Sequence, residues 1–331
     1  VATVEELATA HYLRQQRTVR HIANQLQSIW RTLDANALDQ KWPVIGPAIV
    51  QVVKQGQVEA AAPADAYLAA VIAADGVASE PAGTIAASAF AGHAADGRSL
   101  LSLFYEPVIE TKWRLEAGQS AADAMTGSLS TLLRAGTTEV ADAGRTAAGV
   151  GIASNRAVTG YVRTLSPPSC SRCVVLAGLV FKTDQAFDRH PRCDCTNVPI
   201  SAGGRRGATP LTDPKAYFRS LSEAEQARVF TIDGAKAIRD GADIGQIVNA
   251  RRGMYTASAY GTKLRSTHVS TTKRSRFYRL ERQRAIQRGL VPPTGKGFRL
   301  TTHRLMPEEI YARAENRDEV ISMLRRYGYL I

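Results

Sequence analysis

The sequence predicts a mainly α-helical protein with a small zinc-stabilised β-ribbon module: an α+β chain with an Ala-rich helical N-terminal half and a basic helical C-terminal region. Three observations predict it. Apolar residues make up 44% of the 331 positions but aromatics only 7%, and much of the apolar content is alanine, so the first half relies on close helix packing rather than on large side chains. All four cysteines fall in one 26-residue window, 170–195. The charge is lopsided: residues 1–160 hold 12 Lys and Arg against 15 Asp and Glu, while residues 161–331 hold 30 against 15.

Taken in order, residues 4–33 read as a long amphipathic helix, because Val19, Ile22, Leu26, Ile29 and Leu33 recur at three- and four-residue steps. Trp42-Pro43 marks a break. Residues 44–74 read as helix interrupted near Gly56 and Pro63, and residues 75–83, rich in Gly and Pro, as a loop. Further helices are expected over 84–95, 99–117 and 120–148. The texture then changes. Pro167-Pro168 opens a turn-rich segment, residues 174–181 form a β-branched apolar run of strand length, and Gly203 to Gly207 looks like a mobile loop. Asp213-Pro214 is a helix start, with Asp as N-cap and Pro in the first turn. Ser222 and Glu225 make a capping box for a helix ending near Gly234. Residues 244–250 and 307–327 read as helices, the latter closing the chain. Four segments follow: 1–160, Ala-rich and helical; 161–210, the zinc-knuckle ribbon; 211–255, helical; and 256–331, a basic arm and closing helix. No run of 18 apolar residues is present, so no membrane span and a soluble protein are expected.

Cys170-Ser-Arg-Cys173 is a CxxC pair, and His190-Pro-Arg-Cys193-Asp-Cys195 follows. Zinc takes four soft or borderline donors on a tetrahedron. A CxxC turn supplies one edge; Cys193 and Cys195, two apart in an extended segment, point to one face and supply the other. Four sulfurs close one site, or His190 replaces one of the second pair. The bland readings are two disulfides or buried thiols. A closed four-donor site leaves no position for water, so the zinc is expected to be structural.

Residues 251–305 hold 14 Lys and Arg and a single acid, Glu281. Lys273, Arg274, Arg276, Arg279, Arg282 and Arg284 form its densest part and are the candidate nucleic-acid contacts, since each neutralised phosphate releases counterions. Phe277 and Tyr278 either stack on bases or anchor the helix. Docking on an acidic protein and plain solvation are the competing readings. Arg251-Arg252-Gly253 reads as a helix C-terminus with Gly beyond it. His11, His21, His93, His268 and His303 are scattered, without an HExxH pattern, and are expected to be solvated or capping. Gly203-Gly204 lacks the Walker lysine, and Asp184 and Asp188 read as turn residues. No Ser/His/Asp set is justified by spacing, so no enzyme is expected.

The string Cys-x-x-Cys, Gly178, Phe181, Phe187, His-Pro-x-Cys-x-Cys and Pro199 resembles the Mu F-like head morphogenesis (minor capsid) family of tailed phages. The stretch from Gly234 to Ile244, Val248 to Gly253, and the closing Arg304 to Tyr311 and Arg325 to Tyr329 are similar to its actinobacteriophage members. The resemblance covers about residues 150–331. It implies a minor head protein near the portal vertex, in several copies per virion. Its implied partners are the portal protein, the major capsid protein and packaged double-stranded DNA, and its implied work is assembly, packaging or genome delivery. Some relatives carry a fused capsid maturation protease; no such domain is read here. Two other classes compete: a zinc-dependent nuclease or protease remnant, which only His190 invites, and a plain nucleic-acid-binding module.

Overall fold

The computed structural model describes residues 2–166, 169–185, 195–203, 212–259, 261–294 and 297–330. The protein is mainly helical, with two small antiparallel sheets. The chain divides into two compact units, one of residues 1–169 and 177–212, the other of 170–176 and 213–331.

The first unit begins with α1 (Val4–Trp30), opened by a capping box between Thr3 and Glu6. Its predicted stripe is buried at Ile22, Leu26 and Trp30. The break comes after Trp30, not at Trp42-Pro43: α2 (Leu38–Ala61) runs through Pro43, Pro47 and Gly56. Burial of Ile49 and Val53 against α1 and its neighbours outweighs the lost amide donors. α3 (Ala64–Ala74) follows Pro63, as expected. Residues 84–95 form only a 3-10 turn, Ala87–Phe90. α4 (Leu100–Glu116) and α5 (Ala121–Ser154) start on the serine caps Ser99 and Ser120. Helices α1, α2, α4 and α5 pack around Ile22, Leu26, Trp30, Val53, Phe104, Val108, Leu132 and Val140.

Glycines set how closely these helices approach. A Cβ at Gly136 would lie 2.5 Å from Leu26 Cδ1, and at Gly56 2.6 Å from Ile22 Cγ1. At Gly144 it would lie 2.8 Å from the Ala60 carbonyl oxygen, a backbone atom that cannot swing aside. Close approach thus does here what large side chains do in other bundles.

The strand β1 (Val158–Thr164) leaves α5. A short helix, α6 (Ser171–Leu176), belongs to the second unit. The chain then adds β2 (Val180–Phe181) and β3 (Thr196–Ser201), in the order β2-β1-β3. This corrects the strand expected over 174–181: only Val180 and Phe181 pair with β1, and Val174 is helical. β-branched residues favour strands only where an edge is there to receive them. The sheet packs with α3 through Tyr67, Leu68, Val71, Tyr161 and Val198, and the Tyr67 hydroxyl donates to the Asn197 carbonyl at 2.9 Å.

The second unit carries α7 (Pro214–Ser220), capped by Asp213, and α8 (Glu223–Phe230), opened by the Ser222–Glu225 capping box. The helix does not run on to Gly234. Thr231 stands at φ +70 and starts α9 (Ile232–Arg239), its hydroxyl accepting from Gly234 N. α10 (Ile244–Arg252) is capped by Asp243 and stops at Gly253. β4 (Met254–Ala259) and β5 (Thr262–Thr267) form a hairpin over a stretch with no strand in the sequence reading. α11 (Arg276–Gln287) carries the basic run. β6 (Arg304–Leu305) pairs with β5. The single closing helix expected over 307–327 is two, α12 (Pro307–Arg313) and α13 (Arg317–Arg326), the second capped by Asn316.

Candidate functional site

Two features of the sequence reading define the candidate site: the cysteine window and the basic stretch. Cys170 directly precedes α6, and its carbonyl accepts from Val174 N at 3.1 Å. Cys173 lies within α6 and is fully buried. Cys195 precedes β3 and is 2% exposed. The CxxC pair therefore sits on the opening turn of a helix, where a spacing of three keeps both residues on one face, and not on a ribbon turn. Cys170 and Cys173 fall in the second unit and Cys195 in the first. His190, Cys193, Asp188 and Phe187 lie outside the described residues, as do Gly204 to Gly207. Among the described residues no group of three or more His, Cys, Asp or Glu is placed to hold a metal ion. The described donors suit zinc in kind, being thiols of which two are shielded from water.

The basic stretch separates into working parts. On α11, Phe277 and Tyr278 are buried, which decides between base stacking and anchoring in favour of the anchor. Tyr278 donates its hydroxyl proton to the Phe298 carbonyl at 2.8 Å and meets the Phe298 ring edge-on. Arg284 donates to Glu281 at 2.8 Å, Arg282 to the Pro293 carbonyl at 3.0 Å, and Arg276 is half-buried. Lys273, Arg274 and Arg279 are exposed. The six predicted contact residues thus split into three that face solvent and three that are partly buried, of which Arg282 and Arg284 are bonded within the fold. Arg251 is also engaged: its Nη2 donates to Thr231 Oγ1 at 2.6 Å and it pairs with Glu308. Burial holds its pKa below the ordinary arginine value.

Arg304, read as part of the basic stretch and of the closing string of the family resemblance, is fully buried. Its Nε donates to the Tyr327 carbonyl at 2.9 Å, Nη1 to the Val269 carbonyl at 3.0 Å, and Nη2 to Gln246 Oε1 at 3.0 Å. Its guanidinium carbon stands 4.2 Å from the centroid of the Tyr329 ring. Burial lowers the Arg304 pKa and raises that of Tyr329 to about 12, so within the physiological range the tyrosine stays a neutral face for the cation. No sequence signal separates such an arginine from its solvated neighbours.

His11 corrects the expectation of scattered solvated histidines. It stacks on Tyr67 at 4.0 Å and lines a small cavity of about 40 Å³ with Gln15, Gly144 and Cys195. Burial first, then Arg14, lowers its pKa from 6.5 to about 4. The unfolded chain takes up this proton as pH falls through 6.5 while the folded one refuses it until about 4. Stability present above 6.5 is therefore lost across that window. His268 stacks on Tyr255 at 3.8 Å, and the Tyr255 hydroxyl meets His303 Nδ1 at 2.9 Å. The polar–apolar alternation of Thr256, Ala257 and Ser258 and of Lys263, Leu264 and Arg265 was the signal for this hairpin; the density of charge around it hid that pattern.

Among the described residues no helix is long and apolar enough to cross a membrane. A family model described as VG15 protein matches residues 3–224, about two thirds of the chain. VG15 is a phage-associated family, so this is a phage protein. The chain belongs to the VG15 family. The match takes in the helical bundle and the cysteine window and ends within α8. No curated protein matches, and no solved structure does.

Proposed function

We propose that this phage protein is a structural, non-enzymatic minor capsid protein of the Mu F-like head morphogenesis kind. It stands inside the head near the portal vertex, in several copies, and aids head assembly, DNA packaging or genome delivery. Its partners are the portal protein, the major capsid protein and packaged double-stranded DNA. The observation that carries this reading is membership of a phage-associated family over residues 3–224, joined to the cysteine-window motif. Mass spectrometry of purified proheads and virions tests it: the chain is expected in both at low copy number, and its absence from both overturns the reading.

The exposed Lys273, Arg274 and Arg279 favour a second reading, a zinc-containing nucleic-acid-binding protein or nuclease. Incubation of the pure protein with plasmid and divalent metal separates the two. Cleavage favours the nuclease, salt-sensitive retardation without cleavage favours the nucleic-acid-binding module, and neither, with co-purification on portal rings, favours the capsid role.

A structural zinc ion is part of the proposal, its ligands drawn from Cys170, Cys173, His190, Cys193 and Cys195. It rests on the clustering of every cysteine in one window. Zinc would supply folding energy to a segment too short for a core of its own. Elemental analysis of Cys173→Ser is expected to show bound zinc falling from about one ion per chain toward none, with a lower melting temperature. Wild-type protein purified without chelator and found free of zinc would sink this part of the reading.

A further inference from the structure

The hairpin β4–β5 has a front and a back. Its register pairs Thr256 with Arg265 and Ser258 with Lys263, and all four are exposed. Ala257 and Leu264, which alternate with them, are buried, with α10 and α12 packed against β5. One face of the ribbon therefore rests on helices and the other offers two cations and two hydroxyls to solvent. Among the described residues that front face bears no carboxylate. The acids at its base are occupied: Glu309 accepts from the Arg265 backbone N and the Arg313 side chain, and Glu308 pairs with Arg251. Gly261, just before β5, stands at φ +75.

The major groove of duplex DNA, about 12 Å wide, admits a two-stranded ribbon, and base edges there present acceptors to Lys and Arg and partners to Ser and Thr. The back of such a ribbon must be held rigid by other elements, as this one is. We infer that the β4–β5 ribbon is a DNA-binding element that enters the major groove through Thr256, Ser258, Lys263 and Arg265. This rests on the nucleic-acid part of the proposed function and adds a surface to it, separate from the exposed Lys273, Arg274 and Arg279 on and just before α11. An acidic protein surface would take the cations but has no groove to receive the ribbon.

The test uses the full chain and a duplex of about 30 base pairs, read by fluorescence anisotropy across a salt series. For the double variant Lys263→Gln/Arg265→Gln, binding at physiological salt is expected to weaken about tenfold and the slope of log affinity against log salt to fall by about 2. At saturation the wild type is expected to suppress dimethyl sulfate methylation of guanine N7, in the major groove, and to leave adenine N3, in the minor groove, unchanged. The double variant restores N7 reactivity. Thr256→Asp, a single exposed change on the same face, is expected to weaken binding in the same sense and guards against a folding defect in the double variant. Wild-type slope and N7 protection in both variants would overturn the ribbon's role. If binding is then lost in Lys273→Gln/Arg274→Gln/Arg279→Gln, the reading of those three exposed cations stands alone. A wild-type chain that ignores the duplex even at low salt defeats the nucleic-acid reading itself, and the ribbon with it.

Discussion

Arg304→Ala is expected to cost the second unit about 4 kcal/mol, most of the stability of a marginal unit of that size. Three charge-assisted hydrogen bonds disappear together, to the Tyr327 and Val269 carbonyls and to Gln246. Each is worth roughly 1.5–3 kcal/mol to a charged donor, and the partners left behind in a dry site add their own desolvation penalty. The Tyr329 ring also loses the cation it faces. These partners come from α10, from the segment after β5 and from the end of the chain, so one side chain ties three parts of the unit. Tyr329 is itself held there: it is fully buried, its hydroxyl donates to the Leu305 carbonyl at 2.9 Å, and its own carbonyl accepts from Asp243 N at 2.8 Å. Arg304→Lys should recover part of the loss, because it keeps the charge but not the planar fork. Urea unfolding followed by circular dichroism checks both. An Arg304→Ala midpoint equal to that of the wild type would show that the buried guanidinium holds nothing together.

Trp30→Ala is expected to destabilise the first unit by about 4 kcal/mol, in the range for emptying a large aromatic from a core. Trp30 is 1% exposed, at the centre of the cluster formed by α1, α2, α4 and α5. Its indole N–H donates to the Met125 carbonyl at 3.0 Å, and that acceptor would be stranded. The glycine contacts of α2 and α5 make collapse into the vacancy difficult, since the helices already touch. Trp113 supplies the comparison: it is 67% exposed, and Trp113→Ala should change stability by less than about 0.5 kcal/mol. The emission spectrum is expected to carry the same information: Trp30→Ala should shift it toward the red and Trp113→Ala toward the blue. Equal effects of the two substitutions would remove Trp30 from the core.

The helix starts were legible because a cap is a local event. Asp213, Ser222 and Asp243 each accept from an amide two or three residues on, and that chemistry is complete within one turn. The stripe of α1 was legible for the same reason, its period being a property of neighbours along the chain. Pro43 misled because its local cost is outbid by burial of the helix face that follows. The run 174–181 misled because strand formation needs a partner edge, and β1 receives only Val180 and Phe181. In the basic stretch, sequence spacing ranked six residues alike, and burial then divided them: Lys273, Arg274 and Arg279 reach solvent, while Arg276 is half-buried and Arg282 and Arg284 bond within the fold.

By itself the sequence determined the helical character of both halves, the caps, the crowding of all cysteines into one window and the siting of the positive charge. These depend on composition and on spacings of a few residues, which act before the chain closes on itself. Only the tertiary structure decided that Arg304 is a buried tie, that His11 is a neutral ring stacked on Tyr67, and that Lys263 and Arg265 share the open face of a hairpin. Each of those outcomes turns on groups brought together from distant parts of the chain. The desolvation that distinguishes a buried cation from a solvated one arises only at that contact.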